Sequence, residues 1–600
     1  MNSYKPNFLV NSCIAYKNML YYQYIVFRGV EMKKFISILL STVIIVSSLA
    51  IGFTAFAADD ATKFFVASDL HYNIPSEELV PVIEGDEIYW YANRRAAMEE
   101  ESGFIIDEFL NQCAESDDCE FVLISGDLVD NGKSIHQEHI DLAAKLEKFE
   151  QESGKPVYVT PGNHDYGVDC ETNLDDFVRV YNKFGFDEAL DTLEGTASYT
   201  ADLNDDYRLI ALDSNDPSKS TEDGMSAEKL SWVKEQAEKA KADGKYPVLM
   251  MHHNLLDHLP LQRLISRNFI VRFHYTTATL FADWGIKLVF TGHEHCSDAA
   301  TYTSPTGNVI YDFATTALTM YPLEYRAFSL TDDEIKYEAR SIDSIDTDAL
   351  TSTISGYTQD QIDLMNAGLN DYAKGFLKAG VQYRLGKGFK MEEMGIEEDA
   401  FYYDLVATAV GGLVKILEDP LYGEVGIQAL AAEYNIDIQD SEYKNGWDIV
   451  TDLVAWHYAG SEPYDLNSKD ISIFLKLVSL LLKDDLATVG DEVFFKAANM
   501  LFSYLGTDSV IRDITKLGTS VFGGVTAAEY FLLALVSPLI SAFIADDDGV
   551  DDNNGTLPGY GTVNAQSRIS NVFSNVINTF KSVFEALFDM ITILSKIFIA

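Results

Sequence analysis

The sequence predicts an α/β domain up to about Arg340, then a mostly α-helical domain and a terminal amphipathic helix. Three observations carry this. In the first part, short runs rich in β-branched and aromatic residues alternate with amphipathic stretches, the pattern of strands joined by crossover helices. Beyond Ser341 the strand signals fade and apolar residues recur at helical spacing. The length of 600 residues also exceeds what one hydrophobic core can serve, so more than one domain is required.

The strand-like runs are 64–68, 121–125, 157–160, 208–212, 248–251, 287–290 and 309–313, with helical stretches 93–113, 136–151 and 227–242 between them. Residues 325–340, turning at Thr331-Asp332-Asp333, read as a closing hairpin. Stretches 359–377, 400–417, 471–482 and 492–505 have helical spacing and define a second domain over 341–545. Its apolar run 530–545 contains Pro538 and is too short to span a bilayer, so it reads as a core helix. Residues 546–569, rich in Asp, Asn and Gly, read as an acidic linker. In the tail, 570–600, Phe573, Ile577, Phe580, Phe584, Leu587, Ile591, Leu594 and Phe598 step alternately by four and three, the seam of an amphipathic helix. Three placements fit that helix: docked on its own helical domain, self-associated, or lying in a membrane interface.

Residues 1–57 divide at Met32. From there, Lys33-Lys34, an apolar run to about Phe53 and Ala55-Phe56-Ala57 form a secretory signal in the right order, cut after Ala57, with an uncleaved anchor as the competing reading. Residues 1–31 precede that signal as an extension, which suggests that translation starts at Met32. The expected location is therefore extracellular, with the first folded domain spanning 58–340. A balance of 93 acidic against 44 basic residues, net −49, argues against nucleic-acid binding, which depends on neutralising phosphates. Five cysteines exclude a disulfide scaffold, although Cys113 and Cys119 flank a short turn and could pair.

Five polar clusters occur in order, four of them directly behind a strand-like run: Asp69-Leu70-His71, Gly126-Asp127-Leu128-Val129-Asp130, Gly162-Asn163-His164-Asp165, His252-His253-Asn254 and Gly292-His293-Glu294-His295. Loops at the carboxyl ends of strands gather into one crevice in an α/β sheet. Imidazole and carboxylate without thiolate suit divalent ions such as Mn, Fe, Zn or Ni. Two such ions, bridged by a carboxylate, offset the charge that protects a phosphoester and acidify a bound water.

In this order the clusters resemble the calcineurin-like metallophosphoesterases, over roughly residues 62–340. The resemblance implies a four-layer αββα sandwich with a dinuclear metal site. It assigns Asp69, His71 and His295 to one ion, Asn163, His252 and His293 to the other, and Asp127 to both. It makes His164 the group that protonates the leaving oxygen or positions the phosphate, with Asp165 and Asp130 orienting it and its loop. The reaction it implies is attack of a metal-bound hydroxide on a phosphomonoester or phosphodiester. His253 is either a supporting residue or a core histidine. Cys296 is expected to be buried and not a ligand.

Departures from the pattern narrow the branch. Asn131 stands where the Ser/Thr phosphatases carry a phosphate-clamping arginine, and Asp130 stands where purple acid phosphatases carry a tyrosine ligand, so the pattern is closer to a bacterial, secreted, phosphodiesterase-like group. Residues 255–275, with Arg263, Arg267 and Arg272, read either as a lid that attracts anionic substrate or as an ordinary helix paired with acidic surface. Tyr89, Trp90 and Tyr91 read as core, or as an apolar wall for the leaving group. The competing function is a secreted interaction protein whose α/β domain is vestigial.

Overall fold

The computed structural model describes residues 61–83, 88–215, 225–259, 262, 268–388, 416–461, 468–481 and 550–562, with isolated positions 403 and 414. The signal sequence, Arg263, Arg267, residues 492–505, 530–545 and the terminal helix lie outside them.

Thirteen strands are described: β1 Thr62–Ala67, β2 Phe121–Ile124, β3 Val157–Val159, β4 Asp191–Thr192, β5 Tyr199–Asp202, β6 Tyr207–Ala211, β7 Tyr246–Met250, β8 Leu288–Thr291, β9 Asp298–Thr303, β10 Val309–Ala314, β11 Glu324–Leu330, β12 Glu334–Ser341 and β13 Asn554–Pro558. They form one sheet in the order β13-β12-β11-β1-β2-β3 and a second in the order β4-β5-β6-β7-β8-β10-β9. β1, β2 and β3 are mutually parallel, as are β6, β7, β8 and β10. In each set the carboxyl ends therefore lie at one edge of the sheet.

β1 shows why these runs are continuously apolar. Phe64 and Val66 face the second sheet, in a core shared with Phe121, Leu209, Val248, Phe290 and Phe328. Phe65 and Ala67 face the other way, onto helices α1 (Ser102–Glu115) and α2 (His136–Ser153), through Ile105, Phe109, Leu142 and Leu146. A strand buried on both faces has no polar side to present. After a short helix α3 (Leu174–Val180), α4 (Ala227–Ala242) and α5 (His274–Trp284) cover the second sheet through Trp232, Val233, Ala278 and Phe281. The result is a four-layer αββα sandwich.

The helical segment that follows holds α6 (Thr347–Thr353), α7 (Gln359–Ala367), α8 (Leu369–Gly388), α9 (Ile427–Glu433), α10 (Gly446–Tyr458) and α11 (Lys469–Leu481). The last three share a core around Trp447, Leu453, Ile471 and Leu477. α8 sends Tyr372 and Phe376 into the α1/α2 core, where they pack against Tyr91. Tyr91 is buried there, so it serves as core. Among the described residues no helix is long and apolar enough to cross a membrane.

Two expectations need correction. The helix expected from 93 begins at Ser102, because residues 91–101 fold as a loop. Of the stretch expected as an acidic linker, 546–569, the described residues 550–562 return to the sandwich. β13 pairs antiparallel with β12, and Tyr560 accepts from the Leu288 N–H and donates to the Pro247 carbonyl in the other sheet. Buried Arg326 secures this return by donating to the carbonyl of Asp552 and to those of Asp298 and Ala314. Gly555 permits β13 to approach, since a Cβ there would lie 2.4 Å from the Tyr337 hydroxyl. High Asp and Asn content concealed a strand exposed on one side. Cys113 and Cys119 are buried free thiols, and Cys296 is buried as expected.

Candidate metal centre

The five polar clusters meet where the parallel strands of both sheets end. Asp69 follows β1, Asp127 follows β2, Asn163 follows β3, His252 follows β7 and His293 follows β8. Backbone bonds stitch these loops together: the Asp69 N–H donates to Gly126 O at 3.0 Å, His71 N–H to Asp127 O at 3.0 Å, and Gly292 N–H to His252 O at 3.0 Å. Asp69, His71, Asp127, His293 and His295 all have φ between 43° and 70°. Non-glycine residues rarely hold this left-handed conformation, and such strain gathers where surrounding contacts over-determine it, commonly at functional sites. Gly162 and Gly292 permit the crossing, since a Cβ would lie 2.1 Å from Asp127 Oδ1 at the first and 2.2 Å from Asp69 Oδ2 at the second.

Two donor sets result, Asp69 with His71 and His295, and Asp127 with His252 and His293, each with its donor atoms within 4.8 Å of one another. In the first, His71 Nε2 and His295 Nε2 are 3.2 Å apart, and Asp69 Oδ1 faces His295 Nε2 at 3.2 Å and His71 Nε2 at 3.8 Å. In the second, His252 Nε2 lies 3.2 Å from Asp127 Oδ2, 3.1 Å from His293 Nδ1 and 3.1 Å from Asn163 Oδ1. Asp127 Oδ2 is also 3.9 Å from His71 Nε2, which puts its carboxylate between the two sets.

These groups fit a pair of cations. Imidazole nitrogens facing each other at 3.1–3.2 Å need either a proton or a cation between their lone pairs, and a shared cation would satisfy both pairs at once. Burial alone would lower His252, but the charges of Asp127 and Asp69 lift it to about 9, so the site draws a proton where an ion would compensate the same carboxylates. His252 Nδ1–H donates to Ser125 O at 3.0 Å, which leaves Nε2 directed into the site. His293 stacks on Phe269 with ring centroids 4.3 Å apart.

His164 stands beside the second set. Its backbone N–H donates to Asp127 Oδ1 at 2.7 Å, and its Nδ1–H donates to Asp130 O at 2.8 Å, so Nε2 faces Asp127 Oδ2 at 4.0 Å. The group orienting the imidazole is thus a carbonyl and not the Asp165 carboxylate. Asp165 instead accepts from Gly162 N–H at 2.7 Å and Val129 N–H at 3.2 Å. Of the expected orienting role, Asp165 thus keeps the part toward the loop and not the part toward the His164 ring. Its side chain caps two buried donors that lack strand partners, and burial together with the nearby Asp127 charge raises it to about 8.

Asp130 holds His71 Nδ1 at 3.2 Å, and with His71 and His164 it forms a third donor group. His253 donates or accepts at Ser214 Oγ, 2.8 Å away, and belongs to neither main set. Asn131 turns to Glu138 on α2. In the expected lid, His258 is enclosed by Asp298 and Asp312, which cancels its contribution to a positive stretch.

Sequence reasoning missed two residues. Arg95 grips Asp130 with both Nη atoms, Nη2 lying 2.7 Å from Oδ2. Its signal was hidden by the helical spacing read into 93–113. His139 on α2 bonds the Asp165 carbonyl, and as a helix histidine outside the five clusters it gave no signal.

The calcineurin-like phosphoesterase family model matches residues 62–297. Two solved structures are similar in part: a dimetal phosphatase from Danio rerio, 12% identical, covering 47% of this chain and 97% of that one at a TM-score of 0.33, and Vacuolar Protein Sorting 29 from Cryptosporidium parvum, 10% identical, covering 47% and 92% at 0.20. No curated protein matches the chain.

Proposed function

Since residues 62–297 belong to the calcineurin-like phosphoesterase family and the chain is a metal-dependent phosphoester hydrolase, we propose that it acts outside the cell on phosphodiesters through two divalent ions. The observation that carries this reading is the Asp127 carboxylate lying between two His/Asp donor sets. Asp69, His71 and His295 would hold one ion, Asn163, His252 and His293 the other, and Asp127 both. When bound, such ions offset phosphoester charge and lower the pKa of water.

The chain's own groups do the rest. Asp130 O accepts the Nδ1–H of His164 and the Asp127 carboxylate accepts its backbone N–H, so Nε2 is presented to the site, where the doubly protonated ring would hold a proton for the leaving oxygen. Asp165 keeps the Gly162 and Val129 loops in register beneath it. Beside the site, Arg95 lies between Glu99 and Asp130. The sequence supports the diesterase reading, with Asn131 where the Ser/Thr phosphatases carry a phosphate-clamping arginine. The signal sequence from Met32 supports an extracellular site of action.

The test is hydrolysis of bis-p-nitrophenyl phosphate against p-nitrophenyl phosphate with Mn²⁺, in the wild type and in Asp127→Asn. The expected result is a higher kcat/KM for the diester and at least a hundredfold loss in the variant. Equal rates in the two proteins would end the hydrolase reading, and a preference for the monoester would end the diesterase one. Amino-terminal sequencing of protein from the medium should begin at Ala58, and a start upstream of it would contradict cleavage after Ala57.

A further inference from the structure

We propose that Arg95 binds a non-bridging oxygen of the substrate phosphoester and that the helical segment after the sandwich holds it in position. This rests on the two-metal phosphoesterase reading.

Arg95 reaches the site from a loop. Its turn is tight, with Ala96 at φ 60° and the Ala96 N–H donating to Asn93 O at 3.1 Å. The Asn93 side chain closes the turn by donating to Ala97 O at 2.6 Å, and Met98 N–H ties the loop to Thr319 O at 2.8 Å. A non-glycine residue is held in that conformation only where its surroundings insist on it.

The guanidinium lies against both the acid and the imidazole of the site. Nη1 and Nη2 each donate to Asp130, and Nη1 is 3.4 Å from His164 Nδ1. That Nδ1 is committed to the Asp130 carbonyl, so the approach of Nη1 is contact and not a hydrogen bond. Arg95 thus sits one imidazole ring away from the carboxylate between the donor sets. Each Nη carries a second N–H that Asp130 does not use, and the side chain is 38% exposed. Asp130 divides its charge between Arg95 and His71, so the pair is not self-cancelling. A planar donor fork with unused N–H groups is what an anionic phosphoryl oxygen requires.

The helical segment sets this fork. At Gly380 on α8, a Cβ would lie 2.6 Å from Asn93 O and 2.7 Å from Ala96 Cβ, so helix and loop touch through a missing side chain. Arg94 lies over the Tyr383 ring, 5.6 Å from its centroid. Ala96 and Ala97 share a cluster with Leu377 of α8, Ala455 of α10 and Met320, whose sulfur is 3.1 Å from His295 Nδ1. The segment of unassigned role is therefore packed on the loop that carries Arg95.

The experiment uses the metal-loaded mature chain, with inorganic phosphate as competitive inhibitor of bis-p-nitrophenyl phosphate hydrolysis. Arg95→Gln should raise the phosphate inhibition constant and KM about tenfold or more while kcat changes less and two metal equivalents remain bound. Arg95→Lys should recover part of the loss. Tyr383→Ala should weaken phosphate binding in the same direction by a smaller factor. An inhibition constant unchanged within twofold in Arg95→Gln, with Asp127→Asn inactive, overturns the role of Arg95 and leaves the hydrolase reading standing. Loss of metal from Arg95→Gln also overturns it, because Arg95 would then act only through Asp130. No effect in Tyr383→Ala overturns the part given to the helices. Activity in Asp127→Asn equal to wild type would remove the hydrolase reading itself.

Discussion

Acidification below pH 6.5 should destabilise the sandwich through His139, a buried residue on α2. Its Nε2–H donates to Asp165 O at 2.7 Å, and its Nδ1 accepts from the Tyr181 hydroxyl at 2.9 Å. Both ring nitrogens are satisfied in the neutral form, whereas a second proton would turn the tyrosine hydroxyl into an acceptor and bury a charge that no carboxylate pairs. Burial dominates and lowers the pKa from 6.5 to about 4. The sign follows directly. Between these values the unfolded chain takes up a proton that the folded one refuses, so the stabilisation is complete above the unfolded pKa and is lost as pH falls toward the folded one. From pH 7 to pH 5 the loss attributable to this group is about 2 kcal/mol, and below pH 4 it levels off near 3 kcal/mol. The assay is urea unfolding of metal-free wild type and His139→Gln at pH 7 and pH 5. Gln can donate to the same carbonyl and accept from the same hydroxyl without titrating, and other groups cancel in the comparison. Wild type should lose about 2 kcal/mol more than the variant between the two pH values. Parallel losses would refute the assignment of a neutral, pH-sensitive support beneath Asp165.

Two further substitutions test the scaffold. Gly292→Ala would place a Cβ 1.8 Å from Ser68 Oγ and 2.2 Å from Asp69 Oδ2, displacing the carboxylate of the first donor set. It should cost about a hundredfold in phosphoesterase rate, since a displacement of this order disrupts reacting geometry, and a rate within threefold of wild type would contradict it. Arg326→Met removes the donors that satisfy the carbonyls of Asp552, Asp298 and Ala314. Leaving such buried acceptors unpaired should lower stability by about 3 kcal/mol, read from the unfolding midpoint, and a change under about 1 kcal/mol would mean that the returning segment is not held there.

How far the fold was legible depended on what each segment had to bury. β1, β2 and β7 announced themselves because both faces are covered, leaving runs such as Phe64 to Ala67 without a polar position. The edge strands β4 and β13 did not, since alternate residues of β13 face solvent and its sequence, Asn-Gly-Thr-Leu-Pro, carries turn residues. α5 was obscured by the arginines and histidines read into a lid, whereas His274 and Tyr275 are buried beside Asp257. For the site, cluster order was enough to anticipate which imidazoles and carboxylates converge, because parallel strands must end together. Direction of a side chain was not. Asp165 follows His164 in sequence, yet it points to backbone donors, and the carbonyl of Asp130 takes its expected place. Arg95 was invisible for a different reason, since a strained loop at Ala96 interrupts what reads as one amphipathic helix.

The central claim is that two ions share the Asp127 carboxylate. Anomalous diffraction from crystals grown with Mn²⁺ tests it directly. The account predicts two peaks roughly 3.5–4 Å apart, one beside Asp69, His71 and His295, the other beside Asn163, His252 and His293, with Asp127 touching both. A single peak, or one seated among His71, Asp130 and His164, would contradict it.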